Sequence, residues 1–231
     1  MIKPQTLALI LLIDTATATG SVSLSQNGKT LGTLQNNEQR DHAATITLFI
    51  RQLLHHHGLH HRQLDAVAVS AGPGSYTGLR VGVATAKGLC YTWQKPLLAV
   101  STLQMMAAGM QRQRPAEEVY YAPMIDARRM EVFTAVYNAR LEPVLEPQAM
   151  VLQPGSFHDL MTEKNTLFFG DGAPKWQGLL GEHTNSEFPP YRISAEHMMP
   201  LAEKAFADKD FKDVAYFSPY YIKPFFTPGK P

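Results

Sequence analysis

The sequence contains very little cysteine: Cys90 is the single cysteine among 231 residues. One thiol cannot form a disulfide within the chain, and this scarcity fits a protein of the reducing cytoplasm. Cys90 lies in a helix predicted over residues 77–93. Because free cysteine is among the most buried residue types, we interpret Cys90 as a small core residue rather than a nucleophile.

The chain also lacks an excess of charge of either sign, since 21 lysines and arginines oppose 20 acidic residues and the net charge is +1. The basic residues are scattered along the sequence. A protein that binds nucleic acid by itself normally carries a concentrated basic surface. Direct contact with nucleic acid must therefore be weak or shared with a partner.

Long hydrophobic runs are missing as well. The apolar run at residues 7–13 is seven residues long and ends at Asp14. A membrane-spanning helix needs about twenty apolar residues, and seven are marginal for the core of a signal peptide. We therefore interpret this run as a buried first strand and expect no membrane partner.

The common nucleotide-binding motifs are absent too. No pair of glycines has the P-loop spacing before a lysine, and the dinucleotide motif would need a glycine where Thr77 stands. Other anion sites at the start of a helix stay open, because any helix N-terminus offers free N–H groups.

The most informative segment of the chain joins a strand to a helix. Residues 64–70 are mostly apolar, as expected for a strand buried on both faces. The glycines and proline at 72–74 supply a turn, after which Ser75 or Thr77 is expected to cap a helix that ends near Trp93.

This helix has an unusually smooth surface. Gly78 and Gly82 are four residues apart and share a face, and Gly88 follows. Each interior glycine costs a helix about 1 kcal/mol relative to alanine, so a close approach to another element must compensate. The pattern favours packing on the chain's own sheet and a subunit interface about equally.

The order of the predicted elements indicates an α/β fold with a degenerate duplication. The first strand is followed by a strand at 21–25, a hairpin turn at Asn27-Gly28 and a third strand. Asp41 is expected to cap a helix that ends near Gly58, and strands at 64–70 and 97–100 enclose the smooth helix. In the second half, a helix at 102–110, strands at 119–125 and 131–137 and a helix at 194–207 stand out from a proline-broken remainder.

The turn and the smooth helix resemble the signature of the TsaB family, also called YeaZ, the bacterial partner of TsaD in making threonylcarbamoyladenosine on tRNA. The residues that carry the resemblance are 72–80 and 84–89, with further motifs in the family's order at 12–16, 124–133, 170–173 and 218–223. It covers nearly the whole chain. There are two departures: Met130 stands where a glycine is frequent, and the 224–231 tail has no recognised counterpart.

The resemblance implies an α/β fold of two actin-like (ribonuclease-H-like, ASKHA) domains, the second degenerate. The first domain, 1–103, would carry the partner interface, and residues 104–231 would form the second. The implied function is that of a non-catalytic subunit that pairs with a TsaD-type transferase, which transfers threonylcarbamoyl to the adenosine beside the tRNA anticodon.

The resemblance also implies the remaining partners. A TsaE-type ATPase would join the complex, and tRNA would be contacted only through the complex. A homodimeric scaffold that uses the same helices is a separate option, and homodimer and heterodimer could compete for one surface. No cofactor is predicted for the isolated chain, although ATP and magnesium could act within the complex, and the location would be cytoplasmic. The alternative is a weak actin-like ATPase or a peptidase that acts alone.

The predicted interface uses the helices at 41–54 and 77–93. Nine residues are assigned to it: His42, Ile46, Phe49, Ser75, Thr77, Gly78, Val81, Gly82 and Thr85. A bulky residue in place of Gly82 is expected to abolish pairing and leave the monomer folded.

Six residues are candidates for binding a nucleotide: Asp14, Asp126, Arg128, Gly170, Asp171 and Gly172. The pattern favours a turn role for Asp14, because Ala16 stands where catalytic actin-like proteins commonly carry glycine, and an ordinary turn for 170–172. Arg128 could bind a phosphate, but the pattern favours local ion pairing with Glu131.

The histidines do not predict a metal site. Five of them crowd residues 55–61, but Gly58 should end the helix between His56 and His60, so this pair should not share one helical face. TsaD-type transferases hold a metal with two histidines four residues apart, whereas here His42 is followed by Ile46.

Overall fold

The computed structural model describes residues 8–36, 42–116, 118–181 and 185–223. The predicted cap residue Asp41 and the 224–231 tail lie outside the described residues. Within the described ranges, none of the helices is both long and apolar enough to cross a membrane.

The first half of the chain forms a five-stranded sheet with the strand order β3-β2-β1-β4-β5. Its elements are β1 (Leu9–Asp14), β2 (Gly20–Gln26), β3 (Lys29–Asn36), α1 (His42–His56), β4 (Ala66–Ser70), α2 (Tyr76–Trp93), β5 (Leu97–Val100) and α3 (Thr102–Gln113). The predicted hairpin is confirmed: Asn27 and Gly28 take φ values of 57° and 72°, as a two-residue turn between β2 and β3 requires.

Helix α2 begins and ends where local signals place it. The Ser75 side chain caps it by accepting a hydrogen bond from the Gly78 N–H at 3.3 Å, so the cap is Ser75 and not Thr77. Gln94 ends it in the left-handed conformation at φ 53°.

The second half repeats the topology of the first. Its sheet has the order β8-β7-β6-β9-β10 when read from the edge that corresponds to β3. As in the first sheet, the first strand pairs antiparallel with the second and parallel with the fourth. The elements are β6 (Val119–Asp126), β7 (Glu131–Tyr137), β8 (Pro143–Val151), α4 (His158–Glu163), β9 (Asn165–Phe169), α5 (Ala173–Leu180), β10 (Ser186–Glu187) and α6 (Met199–Ala207).

The second unit is degenerate in the lengths of its elements. Helix α4 has 6 residues where α1 has 15, and α5 has 8 where α2 has 18. The predicted helix over 194–207 is in fact a 3₁₀ turn at Ala195–Met198 followed by α6.

The apolar side chains form three layers. Leu9, Leu11 and Ile13 of β1 face α1 and α2, whereas Ile10 and Leu12 face the opposite side of the sheet. On that opposite side, β1 shares one cluster with α3, α6 and side chains of the second sheet. A third cluster joins the far face of the second sheet to α4 and α5. The predicted domain boundary after residue 103 falls inside α3, and the division into two domains stays a prediction.

The C-terminal segment, residues 211–223, ties the two units together. The Lys212 N–H donates to the Leu97 carbonyl of β5 at 2.8 Å, and the Tyr220 N–H donates to the Ala71 carbonyl at 2.7 Å. The Lys223 ammonium then pairs with the carboxylate of Glu131 in the second sheet. The segment therefore runs from the edge of the first sheet to a hairpin of the second.

Candidate functional site

The outer face of α2 carries a row of small side chains. Thr77, Val81 and Thr85 are four residues apart and share one face, where they are exposed or half-buried. Ala84 and Gly88 extend this exposed row, and a Cβ on Gly88 would have no atom within 4 Å. Leu48 on α1 leaves 40% of its surface exposed. Leu48, Ala84 and Gly88 are thus exposed on the outer faces of the two helices but are not among the nine predicted interface residues, although their positions on the helix faces can be read from the sequence.

The inner face of α2 packs against the loop after β1. A Cβ on Gly78 would overlap the Thr15 carbonyl oxygen, and a Cβ on Gly82 would overlap the Thr15 hydroxyl. That hydroxyl also donates to the Gly78 carbonyl at 2.8 Å. The close approach is therefore intramolecular. A bulky residue at position 82 would displace Thr15 of the same chain, so loss of pairing in such a variant would not report on a partner surface alone, and the expected effect stays a prediction.

The predicted interface residues of both helices divide into those that face the interior and those that reach the surface. Ile46 is fully buried in the core beneath the helix. His42 is 2% exposed and its Nε2 lies 3.1 Å from the Thr17 carbonyl oxygen, whereas Phe49 is half-buried. Ser75 serves as the cap of α2. His42, Ile46, Ser75, Gly78 and Gly82 thus position the helices, and Phe49, Thr77, Val81 and Thr85 reach the surface. The interface itself stays a prediction.

Asp14 lies at the end of β1 and is completely buried. Its Oδ1 accepts the Ala16 N–H at 3.1 Å, which is the hydrogen bond of a turn residue. Burial raises the pKa of Asp14 above its usual value, so the carboxyl group is poorly suited to carry a charge there.

The other predicted nucleotide-binding residues come together at the second sheet. The Asp126 N–H donates to Asp171 Oδ1 at 2.9 Å, and Asp126 Oδ1 accepts from Lys175 at 2.6 Å. Partial burial by itself would raise the pKa of Asp126, but the hydrogen bond from Lys175 outweighs this and the pKa of Asp126 is lowered. Burial raises the pKa of Asp171. Gly170 has a φ of 106°, and a Cβ there would overlap the Met124 carbonyl oxygen. A Cβ on Gly172 would lie 2.9 Å from the Val132 side chain, so both glycines allow close packing.

A cavity of about 170 Å³ is lined by the Thr17–Thr19 loop together with Gly170 and Asp171. Asp14 does not line this cavity. Ligand pockets usually begin near 300 Å³, so a nucleotide does not fit this cavity as it stands.

The arginines of the β6–β7 turn do not form the ion pair that the sequence favoured. Glu131 pairs with Lys223, and among the described residues no carboxylate forms a salt bridge with Arg128. Arg128 has a φ of 67° and lines a second cavity, of about 290 Å³, with Tyr76 and Phe133. The expected pairing is therefore wrong: Glu131 finds its partner 92 residues away, in the C-terminal segment.

Two other candidates behave as predicted. Cys90 is 1% exposed, and burial raises the pKa of its thiol to about 12, so it is a core residue. Helix α1 ends at His56, and Gly58 has a φ of 61°, so His56 and His60 do not share a helix.

Comparison with known proteins identifies relatives along nearly the whole length. The family model of TsaD, tRNA N6-adenosine threonylcarbamoyltransferase, matches residues 20–216. The chain is 32% identical over 221 residues to the tRNA threonylcarbamoyladenosine biosynthesis protein TsaB of Escherichia coli, covering 93% of this chain and 94% of that one.

Solved structures confirm the fold class. A Pseudomonas aeruginosa protein described as similar to the peptidase YeaZ is 28% identical, with a TM-score of 0.81 over 94% of this chain and 100% of that one. The Clostridium difficile activator of 2-hydroxyisocaproyl-CoA dehydratase, solved with bound ADPNP, has a TM-score of 0.52 at 9% identity over 89% of this chain and 98% of that one. The latter likeness concerns the fold alone.

Proposed function

Because the chain belongs to the family that the TsaD model describes, and within it to the TsaB proteins, we propose that it is a non-catalytic subunit of a tRNA threonylcarbamoyl transferase complex. Its role is in the biosynthesis of threonylcarbamoyladenosine, and its partner is a TsaD-type transferase. The observation that carries the proposal is the match to TsaB over 93% of the chain.

The outer face of α1 and α2 is the proposed partner surface. Thr77, Val81, Ala84 and Thr85 have short side chains, so the helix of a partner can approach α2 closely. Leu48 adds exposed apolar area on the neighbouring helix. Burial of these groups by a partner supplies the hydrophobic contribution to association.

The residues of the chain support a role without chemistry of its own. Asp14 is buried and lines neither cavity. His42 faces the Thr17 carbonyl, and Ile46 stands where a second histidine would be needed for a TsaD-type pair. The Cys90 thiol is buried and stays protonated. The transfer step therefore belongs to the partner.

We extend the proposal to the remaining partners by resemblance to the family. A TsaE-type ATPase joins the assembly, and ATP and magnesium act within that assembly. tRNA is bound by the assembled complex, in the cytoplasm. A homodimer through the same helices competes with the TsaD-type partner for one surface.

The test is reconstituted modification of tRNA. Unmodified tRNA, threonine, bicarbonate, ATP and the cognate TsaC-type, TsaD-type and TsaE-type proteins are combined with and without this chain, and nucleosides are measured by mass spectrometry. Modification that requires the chain is expected. Modification at the same rate without it would refute the proposal.

Two matched variants test the surface. Ala84→Arg places a long charged side chain on the outer face of α2, and Val144→Arg places the same side chain on the exposed edge strand β8. We expect A84R to abolish co-elution with the TsaD-type partner and V144R to keep it, with both monomers folded. Co-elution of A84R at the wild-type level would contradict the interface.

The alternative of a stand-alone ATPase or peptidase predicts activity of the purified chain. An ATPase that uses Asp14 would lose its magnesium-dependent turnover in Asp14→Ala. We expect no turnover that differs between wild type and D14A.

A further inference from the structure

Three aromatic side chains lie in contact, one after the other, beside the end of α2, and we call this row the stack. The ring centroids of His60 and His61 are 4.0 Å apart at an angle of 39°, and those of His61 and Trp93 are 5.2 Å apart at 17°. Trp93 packs against the core of the first sheet, whereas His60 is exposed at the other end of the stack. The stack thus runs from the partly buried Trp93 to the exposed His60.

Hydrogen bonds hold the stack in place. His60 caps a short 3₁₀ turn, His61–Gln63: its Nδ1 accepts from the Arg62 N–H at 3.3 Å, and its own N–H donates to Gln63 Oε1 at 2.7 Å. The Lys95 ammonium donates to the Arg62 carbonyl at 2.9 Å and ties this turn to the residues after α2. These bonds fix the His60 ring and the turn that carries His61.

Cations surround the stack. Arg62 is exposed, and among the described residues no carboxylate forms a salt bridge with Arg62 or Lys95. Burial, followed by the charges of His60, Arg62 and Lys95, lowers the pKa of His61. Arg62 and Lys95 therefore place positive charge beside the aromatic rings.

We propose that this stacked patch, formed by His60, His61, Arg62, Trp93 and Lys95, binds unpaired bases of RNA. An unpaired base extends the ring stack on His60, and Arg62 and Lys95 attract the adjoining phosphates. An acidic protein segment would use the cations but leave the stack unused, so the combination favours RNA.

The inference rests on the proposed function, which brings a tRNA to the complex. Helices α1 and α2, whose outer face is the proposed partner surface, end at His56 and Trp93 and thus beside the patch. One RNA can therefore contact both the partner and the patch. The near-neutral net charge of the chain fits a contact of this shared kind.

The experiment separates stacking from charge. A fluorescent anticodon stem-loop RNA and heparin, a polyanion without bases, are titrated with the full chain and with its complex with the TsaD-type partner. His60→Asn removes the ring but keeps a side chain that can cap the turn. Arg62→Gln removes the charge, and Arg140→Gln is the control at an exposed arginine of the second unit.

We expect H60N to weaken RNA binding about five-fold or more and to leave heparin binding unchanged. R62Q should weaken both and reduce the slope of log K against log salt by about one, whereas R140Q should match wild type. Wild-type RNA binding by H60N would overturn the proposal, even if R62Q weakened both ligands, because the patch would then be a plain polyanion surface.

The outcomes separate this inference from the proposed function. If the chain is required for modification but H60N binds RNA normally, the inference fails and the function stands. If H60N weakens RNA binding but modification does not need the chain, the function fails and the patch stands.

Discussion

At the residue scale, two of the three glycines of α2 are required by a contact within the monomer. Gly78 and Gly82 face Thr15, whereas Gly88 faces open space on the same helix. We therefore expect Gly78→Ala to lower the free energy of unfolding by about 1–3 kcal/mol, because the methyl group overlaps a backbone carbonyl. Gly88→Ala should raise it by up to about 1 kcal/mol through helix propensity. Urea unfolding of both variants measures the two changes in free energy. Equal changes would contradict the contact between Gly78 and Thr15 as the reason for the glycine.

His197 makes stability depend on pH. It is 7% exposed, its Nδ1 lies 2.8 Å from the Tyr191 hydroxyl, and burial lowers its pKa to about 4. The unfolded chain takes up this proton near pH 6.5, before the folded chain does, so stability is lost as the pH falls from 6.5 towards 4.

This loss reduces the free energy of unfolding by about 3 kcal/mol at the acidic end of that range. His197→Gln should remove it, so the difference in unfolding free energy between wild type and variant should change by that amount between pH 7 and pH 4. A difference that is independent of pH would show that His197 titrates normally. Chemical denaturation at a series of pH values is the measurement.

At the scale of elements, local signals located α2, the β2–β3 hairpin and β5. Ser75, Asn27-Gly28 and a short apolar run each act through neighbouring residues, so the sequence is sufficient. Strands β8 and β9 and helix α5 were not predicted. Pro143 and Pro147 argue against a strand, but β8 lies at the edge of its sheet, where missing N–H groups are tolerated.

The candidate partner surface on α2 was predictable only in part, because the contacts that cover a helix face come from residues distant in the sequence. The small side chains of α2 were readable as a smooth surface, but what covers each face depends on distant residues. Thr15 meets Gly78 across 63 positions, and Lys223 meets Glu131 across 92. Pairs at such separations leave no periodic pattern, so the covered and free faces of α2 could not be told apart.

The C-terminal segment depends on one side chain of α2. The Lys87 ammonium donates to the Ala215 carbonyl at 3.1 Å and to the Phe217 carbonyl at 2.9 Å. Lys87→Ala should loosen the segment and speed hydrogen exchange of the Tyr220 amide about ten-fold, since bonds from charged donors are worth roughly 1.5–3 kcal/mol and this one is partly exposed. Lys175→Ala, in the second unit, is the control and should leave that amide unchanged.

At the scale of the whole molecule, the two sheets share one buried layer. Ile10 and Leu12 of the first sheet and Tyr121 and Phe169 of the second belong to the same cluster as α3. We expect one cooperative thermal transition, with equal calorimetric and van't Hoff enthalpies. Two resolved transitions, or a folded and monomeric fragment of residues 1–103, would contradict this, because that fragment exposes the apolar face of its sheet.

The contact between Lys212 and Leu97 has a consequence for synthesis of the protein. Strand β5 is an edge of the first sheet, and the residue that bonds to it lies more than 100 positions later in the chain. When the residues of the first sheet have been synthesised, the C-terminal segment that bonds to β5 has not. During this interval the nascent chain presents an open strand edge, the feature through which unfinished proteins pair with each other. Truncated chains that end before Lys212 will accordingly aggregate more readily than the full chain.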